Sequence, residues 1–194
     1  MRCKKLCNNA QELDNIWKDI DQTVYEKVNS FNGVTCISPN TEIIIVGTIT
    51  PSGGNGYFYT APYNRIYGYI DAARGANLKE KKEKLRKATN AKERQQIIDE
   101  IKTELKNQKV AFLDVIGEAI RLKGSYADSD IKCYTLDYSA FSTIPQNVKK
   151  VICNSRLAKN CYDTINKILN LPNAIYLSQR PKYGSKDRWI DVLK

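Results

Sequence analysis

No histidine occurs among the 194 residues. That absence removes the Ser-His-Asp and Cys-His nucleophilic mechanisms and every histidine-ligated metal. Any catalysis must therefore rest on carboxylates, amides, hydroxyls, lysine or the backbone. Cysteine is present but unorganised: Cys3, Cys7, Cys36, Cys133, Cys153 and Cys161 include no CxxC pair, which argues against a zinc site. Cys133 and Cys153 lie in apolar or strand-like contexts, where a free thiol packs as a small hydrophobe. Such thiols suit a reducing cytosol better than a disulfide framework. A metal held by Cys3 and Cys7 with distant partners is the weaker alternative, and neither metal nor cofactor is expected.

Long apolar runs are also missing. None approaches the roughly 18 residues of a membrane span, and the opening MRCKKLCNNAQELD is charged and lacks an apolar signal core. A cytoplasmic protein is expected. Acidic residues are outnumbered, 21 against 31 lysines and arginines, for a formal net charge of +10 and a sequence pI near 9.3. That balance suits a polyanionic partner, most often nucleic acid, through counterion release at phosphates. The alternative is charge that serves only solubility.

What is present fits one compact domain. The hydrophobic fraction of 42% and charged fraction of 27% are those of a globular protein, and the length suffices for a three-layer core. The most informative stretch is EIIIVGTITPSGGNGYFYTAPYNRIYGYID, Glu42 to Asp71. An apolar run, Ile43 to Val46, enters Gly47; a loop with Pro51, Gly53, Gly54 and Gly56 follows. A tyrosine-rich stretch then leads to Asn64, near a helix start. Buried strand, tight loop and aromatic mouth is how open α/β sheets build a site at a strand's carboxyl end.

Elsewhere, Leu13, Ile16, Trp17, Ile20, Val24 and Val28 recur at helical spacing and predict one amphipathic helix over Gln11 to Ser30. The basic region Lys79 to Lys109 reads as two helices. Asn90 with Glu93 supplies a capping-box pattern, and Ile97, Ile98, Ile101 and Leu105 an apolar stripe. Its lysines alternate with glutamates, the pattern of a solvated face, with DNA contact the less favoured role. Val110 to Val115 and Val148 to Cys153 predict a second and a third buried strand, and Ala174 to Leu177 a fourth strand. Ser155 to Leu169 predicts a helix with Leu157, Cys161, Ile165 and Ile168 on one face. Alternating strands and helices imply a three-layer α/β/α fold with a central, mainly parallel four-stranded sheet. Residues 1–194 are expected to form a single domain, with the lysine-rich helical hairpin at about 79–109 as an insertion. Gly47 to Pro51, Asp114, Asn154 and Ser178 to Pro181 then share one edge of that sheet, where crevice ligands bind.

These residues carry a resemblance. GTITP followed by YFYTAPYNRIYGYI is similar to the opening motifs of the uracil-DNA glycosylase superfamily, and within it to the hypoxanthine (deoxyinosine) DNA glycosylase-like branch. FLDVIGEAIRLKGSYADSDI, VICNSRLAKNCY and YLSQRP resemble that branch's later segments, in the same order from about Thr41 to Pro181. The resemblance implies a monofunctional glycosylase that removes a deaminated or modified base, such as uracil or hypoxanthine, in base excision repair. The nucleotide is flipped into a pocket, and no covalent nucleophile is required.

By the same resemblance, Asn154 would orient water or hydrogen-bond the flipped base, although a strand-to-helix asparagine is also an ordinary N-cap. Asn64 would contact the base or position water, or else serve as a turn residue. Tyr59 or Phe58 would stack on the base, with core packing the alternative, more so for Phe58. Gly47 and Pro51 would shape the loop, and Thr48 could add a hydroxyl. Ser178, Arg180 and Lys182 would hold phosphates, with Arg180 able to enter the vacated stack. Asp114 reads as structural rather than as a general base. DNA is the implied partner, and a monomer is expected. The chain departs from the family in its first loop, where Thr48, Ile49 and Thr50 replace an aspartate or asparagine. It departs again in its last loop, Ser178-Gln179-Arg180-Pro181, where the family often carries a histidine or a Ser-Pro pair. The second reading is therefore a catalytically inactive nucleic-acid- or nucleotide-binding module on the same fold.

Overall fold

A computed structural model describes residues 5–49, 56–62, 64–125, 127–178 and 185–194. Its centre is a four-stranded, all-parallel sheet. The strands are β3 (Ile43–Gly47), β4 (Val110–Asp114), β7 (Lys150–Cys153) and β8 (Ala174–Tyr176), in the order β4-β3-β7-β8. Gly47 lies opposite Asp114, and Val46 opposite Cys153. Every residue of β3 and β4 is buried, because helices or other strands cover both faces, as a parallel sheet requires.

One face, through Ile43, Ile45, Phe112 and Ile152, packs against α2 (Ile66–Arg74), α3 (Leu78–Lys87), α4 (Ala91–Asn107) and α7 (Ser185–Leu193). Helices α3 and α4 are the predicted hairpin. Asn90 caps α4 by accepting from the Glu93 N–H at 2.9 Å, and Ile97, Ile98, Ile101 and Leu105 are buried as the spacing implies. The other face, through Ile44, Val46, Leu113, Val151 and Cys153, packs against α5 (Tyr138–Ser142) and α6 (Arg156–Leu169). The three-layer expectation holds.

A second sheet shares that other face. It comprises β1 (Lys5–Leu6), β6 (Ile131–Leu136), β5 (Ile116–Leu122) and β2 (Tyr25–Asn29), in the order β1-β6-β5-β2. Strand β5 is antiparallel to both neighbours, and β1 is parallel to β6. The chain passes from β4 to β5 through Val115. There the Val115 and Ile116 N–H groups donate to the carbonyls of Gly47 and Thr48, both at 3.0 Å. The second sheet is thereby hooked onto the carboxyl end of β3.

Two expectations need correction. The single helix over Gln11 to Ser30 is instead α1 (Ala10–Asp19) followed by β2. Asp21 ends the helix: its carboxylate accepts from the Thr23 N–H at 2.9 Å and the Thr23 hydroxyl at 2.6 Å, a local turn that competes with helix. The β-branched Thr23, Val24 and Val28 beyond it favour an extended chain. On α6 the buried stripe is Ala158, Cys161, Tyr162 and Ile165, while Ile168 is 67% exposed.

Candidate active site

The strand order reverses direction at β3. The first crossover steps from β3 to β4, and the next returns past β3 to β7. The carboxyl ends of β3 and β7 therefore flank the switch point, where an open α/β sheet leaves a crevice. Gly47 and Thr48 stand on one side of it, Asn154 and Ser155 on the other. The Asn154 N–H extends the ladder by donating to the Val46 carbonyl at 3.0 Å.

Ser155 caps α6, its hydroxyl accepting from the Ala158 N–H at 3.0 Å. The capping role open to Asn154 in the sequence thus belongs to its neighbour, and the half-buried Asn154 amide is not consumed by the helix. Gly47 is required by close approach. A Cβ there would collide with Asp114 Oδ1 and stand 2.8 Å from the Tyr59 hydroxyl. Asp114 is 3% exposed, and Asn32 clamps its main chain, donating to its carbonyl and accepting from its N–H, both at 2.8 Å. Asp114 is therefore built into the sheet end.

Tyr59 forms the aromatic wall. Its backbone has φ of 55°, a left-handed conformation uncommon outside glycine and found where local structure enforces it. Its ring meets Phe112 edge-on at 4.8 Å. Its hydroxyl is buried with no hydrogen-bond partner among the described residues. Burial raises the phenol pKa well above its ordinary value, and the nearby charges of Asp114 and, more weakly, Asp128 add to the rise. The hydroxyl stays protonated and available to donate. Phe58 does not share this role. It is 1% exposed and enclosed by Phe31, Tyr57 and Phe112 at ring separations of 5.3–6.0 Å. Phe58 is a core residue and cannot offer a face to a base.

Asn64 starts α2. Its Oδ1 accepts from the Ile66 N–H at 3.0 Å, so the turn role is real and the amide NH2 is the part left to serve a ligand. The loop behind it is fastened by a residue whose part the sequence did not reveal. Lys82, 4% exposed on α3, donates its ammonium to the carbonyls of Asn64 at 2.7 Å and Pro62 at 3.2 Å. Burial lowers the Lys82 pKa. Alternating lysines and glutamates mask such a residue, since only its place on the inner helix face separates it from solvated neighbours.

Thr48 is 6% exposed, and its hydroxyl donates to Asp128 Oδ2 at 3.0 Å and lies 2.8 Å from the Ser155 hydroxyl. Asp128 comes from the turn between β5 and β6 and was not among the candidate residues. Ser178 follows β8, its carbonyl accepting from Trp189 Nε1 at 3.0 Å. Pro51, Arg180 and Lys182 lie outside the described residues.

Burial pushes the Cys153 thiol up to about 12 and the Cys133 thiol up to about 11, so neither is an activated nucleophile. Among the described residues no group of three or more acidic or cysteine side chains could hold a metal ion, and no helix is long and apolar enough to cross a membrane. A separate cleft of about 490 Å³ opens beside the second sheet, lined in part by Asn8, Asn9, Asn29, Glu118, Asp137 and Tyr138. None of the candidate residues lines it.

The chain matches no protein-family model and no curated protein. Among solved structures it is similar to the solution NMR structure of a putative uracil DNA glycosylase from Methanosarcina acetivorans. The TM-score is 0.60 and the sequence identity 21%, over 82% of this chain and 92% of that one. The fold is uracil-DNA-glycosylase-like.

Within this uracil-DNA-glycosylase-like fold the crevice brings together Gly47, Thr48, Tyr59 and Asn154, with Asp114 beneath and Asp128 entering from the second sheet. It offers hydrogen-bond donors, one aromatic wall and carboxylate charge. It offers no activated thiol and no histidine.

Proposed function

We propose that the protein is a monofunctional DNA glycosylase, acting as a cytoplasmic monomer, that flips a deaminated or otherwise modified base from DNA and hydrolyses its N-glycosidic bond. The observation that carries this reading is the pairing of two uncommitted polar groups at the switch point. One is the Asn154 amide, released from capping by Ser155; the other is the buried Tyr59 hydroxyl. Base excision passes through an oxocarbenium-like sugar and an anionic leaving base, so it calls for fixed donors and charge rather than a covalent nucleophile. A chain without histidine and with only buried thiols among its described sites fits that demand. The charge of +10 suits a phosphate backbone, and the likeness in fold to the Methanosarcina protein points the same way.

In this mechanism Asn154 hydrogen-bonds the base or the attacking water. The Asn64 NH2 donates to a base carbonyl on which charge develops. Tyr59 supplies the stacking wall, and Ser178, Arg180 and Lys182 hold flanking phosphates. The hypoxanthine-type branch remains the reading suggested by the motif order.

The test uses duplexes with a single uracil, hypoxanthine or xanthine, read by alkaline cleavage at abasic sites. Strand scission is expected on at least one lesion, with Asn154→Ala and Asn64→Ala each slowing it by about 100-fold or more, the scale of a lost preorganised donor. One observation favours a silent binding module: Thr48 occupies the first-loop position where the family often carries an aspartate or asparagine. Measurable DNA binding without scission on any lesion would establish that alternative.

A further inference from the structure

Hydrolysis needs a group to take the proton of the attacking water, and negative charge near the developing sugar cation. The first loop carries no carboxylate in its described part. Asp114 is 3% exposed and lies beneath Gly47, in the space a Cβ would fill. The Asn64 oxygen is engaged at the start of α2. One other carboxylate reaches Thr48, and it arrives from outside the parallel sheet.

Asp128 opens a three-residue turn, Asp128–Asp130, between β5 and β6. Its hydrogen bonds fix a direction of polarity. The Ala158 N–H donates to the Ser155 hydroxyl oxygen at 3.0 Å, and the single proton of Thr48 is given to Asp128 Oδ2 at 3.0 Å. The 2.8 Å contact between the two hydroxyls must then run from Ser155 to Thr48. Three donations therefore follow one another from the first turn of α6 to the carboxylate and orient it.

From the other side the charged and titratable neighbours among the described residues include Arg121 on β5, Asp130 on the same turn and Tyr59 on the aromatic wall. Arg121 is 1% exposed, and its Nη2 donates to the Ala127 carbonyl at 3.3 Å, pinning the residue before Asp128. Arg121 also answers Glu26 and Asp130, so its charge is shared among three carboxylates. Asp128 itself is half-buried, and its Oδ2 meets the Thr48 hydroxyl at the carboxyl end of β3.

We propose that Asp128 is the catalytic carboxylate of this site, with Thr48 as its positioning residue; the proposal rests on the glycosylase reading. The C1′–N bond breaks and its electron pair leaves with the base. A water oxygen bonds to C1′ as one water proton passes to Asp128 Oδ1 or Oδ2. Asp128 returns that proton to solvent and the departing base anion takes one up, so one water is consumed per base released. The second sheet thereby supplies what the first loop lacks.

The experiment measures single-turnover excision, from pH 5 to pH 9 (about the range in which such profiles are read), on whichever lesion duplex the wild type cleaves. Asp128→Asn, which keeps shape and the Thr48 bond, is expected to lose about 100-fold or more. It should also lose the acid-side fall of the wild-type rate profile while binding the duplex as wild type does. Asp128→Glu should recover part of the rate with an acid-side fall, and Thr48→Val should slow excision by a smaller factor without abolishing that fall. A purely structural Asp128 would move stability and leave the profile's shape alone. Wild-type excision with an equally active Asp128→Asn, or with its acid limb intact, overturns this proposal and leaves the glycosylase reading standing. No excision by wild type on any lesion overturns both.

Discussion

The two sheets meet at the carboxyl end of β3, yet they are held together by different physics. In the parallel sheet β3 and β4 bury ten positions, of which only Gly47 and Asp114 lack an apolar side chain. The second sheet adds charge to its apolar packing, in which Ile116, Ala119, Ile120, Ile131 and Cys133 are buried. Lys27 pairs with Asp14 at 2.6 Å and with Glu118 at 3.4 Å, and Arg121 is buried among Glu26, Asp128 and Asp130. Arg121 Nε and Glu26 Oε1 are buried with no hydrogen-bond partner among the described residues. Apolar packing tolerates small losses gradually, whereas a buried charge that loses its partner is left with a large desolvation cost. The parallel sheet is thus the frame, and the second sheet is a brittle arm that carries Asp128.

That contrast can be broken by substitution. Arg121→Ala is expected to cost about 2–5 kcal/mol, because a fully buried side chain is truncated and the nearby buried Glu26 oxygen loses a cation. Urea unfolding checks it, and a loss below about 1 kcal/mol would show that the arm is not held by charge. Gly47→Ala should cost about 1–3 kcal/mol by overpacking against Asp114 and Tyr59, with a matching displacement of the Tyr59 signals in NMR spectra. Unshifted Tyr59 resonances would mean that the corner is looser than its geometry implies. Ile44→Val in the frame should cost only about 0.5–1.5 kcal/mol, and a loss comparable to that of Arg121→Ala would erase the distinction.

The smallest effect sharpens the comparison at the opposite end of β3. Glu42 is held below the ordinary carboxylate range by hydrogen bonds from Lys109 and then Lys149. A lowered folded-state pKa gives stability that is present above the unfolded value and lost as pH falls through the folded one. Glu42→Gln should therefore be slightly less stable than wild type at neutral pH, and the gap should close on acidification. Urea midpoints taken across that range read it directly; a gap independent of pH would mean that the ion pairs contribute nothing.

The same contrast explains what was legible in the sequence. Ile43 to Val46, Val110 to Leu113 and Val151 to Cys153 are continuous apolar runs, so the frame, its four strand ends and the Asn90-capped hairpin could all be read. Strand β5 could not. Register shifts between Ile116 and Glu118, and again between Ile120 and Arg121, break its alternation, and a buried arginine reads as surface. Strand β2 was absorbed into a helix because Val24 and Val28 happen to continue the spacing of α1. Gly47, Thr48 and Asn154 could be placed at strand ends because they follow apolar runs directly, and Tyr59 could be singled out by the tyrosine-rich stretch that follows the first loop. Asp128, Asn32 and Lys82 could not, since each acts across a long sequence separation from a segment with no apolar run to announce it. Phe58 and Tyr59 look alike in sequence; only the left-handed turn at Tyr59 sends one ring inward and leaves the other at the crevice.

Trp189 gives the crevice a place in time as well as in space. Its indole is fully buried, stacks on Tyr69 at 5.8 Å and donates to the Ser178 carbonyl, fixing the exit of β8. During synthesis the frame strands emerge first, tied at this edge by the Leu177 N–H donating to the Cys153 carbonyl at 3.0 Å, and the indole bond to the Ser178 carbonyl is added only with α7. A ribosome-bound chain can therefore hold a folded sheet before the exit of β8 is fully fixed.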